Sequence, residues 1–170
     1  MKSRGERISC LTVYDYSFAH ILDQAGIEIL LVGDSLGMVI QGHETTLPVS
    51  MCNVLYHTQC VSRGCNSALV IADMPFGSYQ GSPQSAYENA ARLVGEGGAH
   101  MVKIEGGVVM AETVTFLVDR GIPVCGHIGL TPQSVNQLGG FRVQGREEST
   151  AEELRRDARN LEEAGASLLI

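Results

Sequence analysis

Ile29-Leu30-Leu31-Val32-Gly33-Asp34, Ala68-Leu69-Val70-Ile71-Ala72-Asp73 and Met101-Val102-Lys103-Ile104-Glu105 are short apolar runs, each closed by a carboxylate. A fourth run, Ile122-Pro123-Val124-Cys125-Gly126, closes at His127. Runs this short and this uniformly apolar suit parallel strands covered on both faces rather than surface helices. Acids at the ends of successive parallel strands point to a divalent-metal site on one face of a barrel.

Between the runs lie amphipathic stretches with helix punctuation. Ser17 precedes the stripe Phe18, Ile21, Leu22, Ala25, and Ser50 precedes 51–63. Ser82-Pro83 offers a cap with proline at the first helical position, and Thr150 with Glu153 fits a capping box. Gly26, Gly64, Gly98, Gly121 and Gly165 stand where a left-handed residue would close each helix. The pattern predicts strands near 8–13, 28–33, 67–72, 99–104, 122–126 and 166–170. Helices are predicted near 17–25, 50–63, 83–96, 109–120 and 151–164. Strict alternation means α/β with a parallel sheet, either doubly wound or a (β/α)8 TIM barrel. Polar residues at nearly every strand end, and long loops at 33–48, 75–82 and 130–146, favour the barrel. A barrel needs ~250 residues. The 170 here are expected to form one partial TIM-barrel domain, residues 1–170, with about six strands and five helices. Ending within Ala166-Ser167-Leu168-Leu169-Ile170, the chain is expected to be truncated at its C-terminus.

The net charge of -7 argues against nucleic acid or an anionic membrane as main partner. No apolar run approaches the ~20 residues of a membrane span, and the first residues lack the apolar core of a signal peptide. Cys10, Cys52, Cys60, Cys65 and Cys125 are odd in number and include no Cys-x-x-Cys pair. Neither a disulfide framework nor a thiolate zinc site is expected. The cysteines are read as small buried hydrophobes in a reducing, cytoplasmic compartment.

Asp34, Asp73 and Glu105 would converge on one rim, and hard oxygen ligands without thiolates suit Mg²⁺. Alternatively, each caps a loop or pairs with a cation. Lys103, two residues before Glu105, faces the same side of its strand. It is either a cation for a substrate carboxylate or enolate or a structural ion-pair partner. His127 is a substrate hydrogen-bonding or proton-transfer candidate, or a satisfied, part-buried histidine. Ser35 either contacts substrate or metal, or caps its turn. His20, His43, His57 and His100 read as surface or helix residues. The glycines of 33–37 and 105–107 match neither a P-loop nor a dinucleotide fingerprint.

Seven motifs then follow one another in order: Val13-Tyr14-Asp15-Tyr16-Ser17, Val32-Gly33-Asp34-Ser35-Leu36-Gly37, Thr46-Leu47-Pro48-Val49, Ala72-Asp73-Met74-Pro75-Phe76, Val102-Lys103-Ile104-Glu105-Gly106-Gly107, Gly126-His127-Ile128-Gly129-Leu130-Thr131-Pro132-Gln133-Ser134 and Gly139-Gly140-Phe141-Arg142-Val143-Gln144-Gly145-Arg146. The set resembles the ketopantoate hydroxymethyltransferase (3-methyl-2-oxobutanoate hydroxymethyltransferase) family, from about Arg7 to Ile170. The resemblance implies a (β/α)8 barrel enzyme of pantothenate biosynthesis. Such an enzyme moves a hydroxymethyl group from 5,10-methylenetetrahydrofolate to 3-methyl-2-oxobutanoate through a Mg²⁺-stabilised enolate, giving 2-dehydropantoate. It implies a cytoplasmic homo-oligomer, a decamer in the family. Asp34, Asp73 and Glu105 would surround the metal; Asp34, Ser35, Asp73, Lys103 and His127 would contact substrate. The family's catalytic glutamate would follow the strand starting at Ala166, past Ile170. No catalytic residue is therefore expected within the chain, which is expected to be inactive alone. Two alternatives are a Mg²⁺-dependent keto-acid barrel enzyme of the phosphoenolpyruvate mutase/isocitrate lyase type, and a non-catalytic fragment acting as a binding or assembly subunit.

Overall fold

A computed structural model describes residues 1–170, the side chain of Lys2 excepted. Six parallel strands lie side by side in chain order: β1 (Cys10–Thr12), β2 (Ile29–Val32), β3 (Leu69–Asp73), β4 (Met101–Glu105), β5 (Val124–His127) and β6 (Leu168–Leu169). Each strand pairs with its sequence neighbour. A doubly wound sheet would reverse its order at a switch point; this one never does. The sheet curls into a partial barrel. Ile8 and Cys10 at one edge and Leu168–Ile170 at the other line a single cavity of about 190 Å³, together with Ile29, Ile71 and Cys125.

The connecting helices are α1 (Tyr16–Gln24), α2 (Leu36–Val39), α3 (Met51–Gly64), α4 (Pro83–Gly95), α5 (Ala111–Val118), α6 (Val135–Leu138) and α7 (Glu148–Glu163). Side chains alternate across a strand, and the two faces have different jobs. Leu30, Val32, Val70, Ala72, Val102, Ile104 and Val124 point outward, into the layer filled by Val54, Val61, Leu93, Leu117 and Leu161 of the helices. Burying each such side chain contributes roughly 1.5–3 kcal/mol. The other set, Ile29, Ile71, Met101 and Cys125, fills the barrel interior. The same inward register, continued toward the strand ends, reaches Asp73, Lys103, Glu105 and His127.

Several local expectations are corrected. Asp15, not Ser17, caps α1: its side chain accepts from the Phe18 N–H, and Ser17 lies inside the helix. Phe18 and Ile21 of the proposed stripe face solvent; Ala19 and Asp23 are the buried residues of α1. Helix α7 starts at Glu148 behind Glu147, and the Thr150 hydroxyl donates back to Glu147 O (2.8 Å) instead of capping. Ser50 and Ser82 do cap, Ser50 in a capping box with Asn53. Gly26, Gly98, Gly121 and Gly165 have positive φ. Gly64 does not: it ends α3, and a Cβ there would lie 2.5 Å from Tyr16 O, so its smallness serves close α1–α3 packing. Only Cys125 of the five cysteines is buried, and burial pushes its thiol up to about 12. The short α2 and α6, and the 3-10 turn at Pro132–Ser134, lie in stretches read as loops, and the helix expected near 109–120 opens with a 3-10 turn at Val108–Met110 before α5.

Candidate functional site

Strand register alone assembles most of the rim. Asp73 stands opposite Lys103 on the neighbouring strand, and Glu105 opposite His127. Adjacent parallel strands lie ~4.8 Å apart, so inward side chains in register must meet. The Lys103 ammonium lies 3.0 Å from Asp73 Oδ1 and 3.6 Å from Glu105 Oε1. His127 Nδ1 is 3.1 Å from Glu105 Oε1 and 3.5 Å from Lys103 Nζ. An ionised carboxylate only accepts, so the Nδ1–H donates to Glu105 and His127 Nε2 remains for other partners. Asp34, two residues past β2, joins through its backbone: its N–H donates to Asp73 Oδ2 (3.0 Å).

Asp34, Asp73, Lys103 and Glu105 are only 3–6% exposed. Burying charge is costly unless it is compensated. With all ionised, three carboxylates face one ammonium, which leaves two negative charges. The acids respond unequally. Burial, then the charge of Asp73, pushes Asp34 up to about 7, against the opposing pull of the Gln133 amide and Lys103. Burial acts on Glu105 in the same direction, but the His127 N–H, Lys103 and the Gln133 N–H outweigh it and hold the carboxyl below its usual value. Burial would lower Lys103, yet Asp73 and Glu105 raise it above an ordinary lysine. Lys103 is therefore both buried cation and ion-pair partner.

Asp73 Oδ1 is buried and accepts no hydrogen bond; the Lys103 contact is close but poorly directed. Asp73 Oδ1, met by the Lys103 ammonium but by no well-directed donor, together with Asp34 and the excess of carboxyl groups over ammonium, fits a divalent cation held by oxygen ligands. Mg²⁺ takes one or two carboxylates and keeps water or substrate oxygens. Among the described residues, no three His, Cys, Asp or Glu side chains are grouped so as to hold a metal by themselves. Glu105 explains why: Oε1 is engaged by His127 and Lys103, and Oε2 accepts from the Gln133 N–H (2.9 Å).

Ser35 precedes α2 without capping it; its hydroxyl lies 2.9 Å from the Tyr14 hydroxyl. A Cβ on Gly33 would sit 2.5 Å from Ser35 Oγ, so glycine makes room for that hydroxyl. Two of the remaining histidines have backbone partners elsewhere. His57 Nδ1 lies 2.7 Å from Tyr14 O, and His100 Nδ1 accepts from the Val70 N–H (3.0 Å).

Two rim residues had no role assigned from sequence. Gln133 reaches Asp34, Met74 and Tyr79 with its side chain. Fully buried Tyr79 places its hydroxyl between Gln133 and the Glu105 backbone. Both stand in loops, where no periodicity marks a side chain as inward. Beside them opens a cavity of about 410 Å³, whose lining includes Phe76, Glu105, Met110 and Asn136.

The fold is shared with solved barrels. These include phosphonopyruvate hydrolase in complex with oxalate and Mg²⁺ (TM-score 0.73, 14% identity, 98% of this chain and 58% of that one). A putative phosphonomutase from Burkholderia cenocepacia (0.74, 18%, 97% and 69%) is a second. 2,3-Dimethylmalate lyase, a PEP mutase/isocitrate lyase superfamily member (0.70, 17%, 99% and 58%), is another. No helix is long and apolar enough to cross a membrane. Curated relatives named 3-methyl-2-oxobutanoate hydroxymethyltransferase include those of Thiobacillus denitrificans and Chromobacterium violaceum, each 61% identical over all 170 residues. That of Halorhodospira halophila is 57% identical. The chain spans 62–64% of the length of these relatives. The model of the ketopantoate hydroxymethyltransferase family matches residues 1–170, and to that family the chain belongs.

Proposed function

We propose that the rim binds a divalent cation, Mg²⁺, together with 3-methyl-2-oxobutanoate. In the complete enzyme it would serve hydroxymethyl transfer from 5,10-methylenetetrahydrofolate to give 2-dehydropantoate. The observation that carries this is the buried centre in which three carboxyl groups, those of Asp34, Asp73 and Glu105, share one ammonium, that of Lys103, on a chain of this family. Asp34 and Asp73 would hold the cation directly, and Glu105 through water. Bound there, the cation supplies Lewis acidity toward the keto oxygen.

The chain's own groups do the rest. Lys103 presents a fixed positive charge where the substrate carboxylate enters and where enolate charge develops. Glu105 holds His127 by Nδ1, which aims Nε2 outward as a hydrogen-bonding group. The Ser35 hydroxyl, paired with Tyr14, offers a second polar contact at the rim. Removal of the C3 proton requires a base. The family resemblance assigns that role to a glutamate following β6, which is not among these 170 residues. A cytoplasmic homo-oligomer belongs to the same reading. Its support is the apolar surface of Phe18, Ile21 and Tyr56 on α1 and α3, each about 60% exposed.

The test is calorimetric titration of the 170-residue chain with 3-methyl-2-oxobutanoate, with and without Mg²⁺. Binding that requires Mg²⁺ is expected. Metal-independent binding, no binding, or a preference for phosphonopyruvate or isocitrate would each overturn the proposal. Light scattering reads the oligomer: a monomer at micromolar concentration removes that part.

A further inference from the structure

Gln133 is 5% exposed and uses every hydrogen bond its side chain can make. Nε2 donates to Asp34 Oδ2 (2.8 Å) and Met74 O (2.9 Å). Oε1 accepts from the Tyr79 hydroxyl (2.7 Å) and Gln80 Nε2 (3.0 Å). The amide cannot be turned over, because a carboxylate and a carbonyl on one side both demand donors. Tyr79 is held at the same place: its oxygen accepts from the Glu105 N–H (2.9 Å), and its proton has Gln133 Oε1 at 2.7 Å as a nearer acceptor than Glu105 O at 3.2 Å. The Gln133 backbone N–H separately holds Glu105 Oε2. One residue of the loop after β5 thus ties together the ends of β2, β3 and β4.

We propose that Gln133 is a positioning residue for the cation centre. Its side chain occupies Asp34 Oδ2 and its backbone N–H occupies Glu105 Oε2, which fixes both carboxyl planes and leaves Asp34 Oδ1 unclaimed by Gln133, in the same cluster as the Asp73 carboxyl. It acts through Asp34 rather than by touching the bound groups. This rests on the proposed divalent-cation reading of the rim. Residues that orient metal ligands in this way typically change metal affinity 10–100-fold when removed.

The test compares Gln133→Met, which keeps the length and loses every polar bond of the side chain, with Asp23→Asn, a destabilising change at the opposite end of the barrel. Free Mn²⁺ is titrated into each 170-residue chain by electron paramagnetic resonance, and thermal unfolding is recorded without metal. Gln133→Met should weaken Mn²⁺ about 10–100-fold. Asp23→Asn should lower the unfolding temperature and leave Mn²⁺ affinity unchanged. Unchanged Mn²⁺ affinity in Gln133→Met overturns the proposal, and so does equal weakening in Asp23→Asn, which would mean stability alone is being read. If the unsubstituted chain binds no Mn²⁺, the cation reading fails instead. A metal-free crystal structure of Gln133→Met then decides: a rotated Asp34 carboxylate sustains the positioning role, and an unmoved one ends it. Should that variant not fold, Gln133→Asn, too short to span from Asp34 to Tyr79, takes its place in both measurements.

Discussion

Asp23 and Asp34 are both buried aspartates, eleven positions apart, and their surroundings could hardly differ more. Asp23, on α1, accepts from the backbone N–H groups of Asn66, Ser67 and Ala68 and from the Ser67 hydroxyl. These hold its carboxyl far below the ordinary range, the Ala68 N–H contributing most. It clamps the segment that feeds β3. Asp34, at the other end of the strands, is pushed up to about 7 by burial and by Asp73. Burial alone therefore does not tell a satisfied acid from a crowded one. The count of donors does: Asp23 has more than it needs, and the rim has too few.

The hardest blow to this contrast is Lys103→Met. Leaving Asp73 and Glu105 buried without their cation should cost about 3–5 kcal/mol in urea unfolding, and Mg²⁺ should restore part of it. No loss would mean the rim tolerates its charge unaided. Asp23→Ala comes next, at about 2–4 kcal/mol for the lost charge-assisted bonds. Mn²⁺ affinity of the folded fraction should not move; a shift would mean that the two ends are coupled.

The pH dependence of the metal-free chain should show opposite signs. Asp23 has a depressed folded pKa, so its contribution is present above the unfolded value of about 4 and is lost as pH falls below it. Asp34 has a raised one, so stability is lost as pH rises from about 4 through about 7. Chemical denaturation across pH 3–8 should show these two contributions at their joint maximum at about pH 4. Asp34→Asn should flatten the upper limb only, and Asp23→Asn the lower one. A single unchanged profile in both variants would erase the distinction.

The smallest effects pair two glycines. Gly64→Ala drives a Cβ toward the rigid Tyr16 carbonyl and should cost about 1–3 kcal/mol. Gly33→Ala meets the Ser35 hydroxyl most closely, with the Thr12 methyl at 3.3 Å; the hydroxyl can swing away from Tyr14, so under about 1 kcal/mol is expected. Its mark should appear in keto-acid affinity. Equal stability losses by thermal unfolding would show the rim to be as stiff as the helix contact.

Much of this was legible in the sequence. Period-two alternation places 71 and 73, 103 and 105, and 125 and 127 inward, so Asp73, Glu105, Lys103 and His127 follow from the strands themselves, whereas Asp34 lies past β2 and follows only from its position at the strand end. Asp23 was not legible, because a helix stripe counts apolar residues and this buried position is charged. Gln133 was not, because its partner Asp34 lies 99 positions away and no local pattern encodes that contact. The helix starts at Asp15 and Glu147 were missed for a related reason. Several residues of the right type stood nearby, and chain direction after the preceding strand or loop selected among them.

The ladder that pairs Asp73 with Lys103 and Glu105 with His127 also works as a ruler. These four groups take their spacing from backbone hydrogen bonds, not from the loops around them. Loops 33–48, 75–82 and 130–146 can lengthen, shorten or change composition without altering the distances within this quartet. A single residue deleted inside β4 would do the reverse. It would turn Val102 and Ile104 into the rim and press Lys103 and Glu105 against the helices. Variation is thus open to the periphery of the site and closed to its centre.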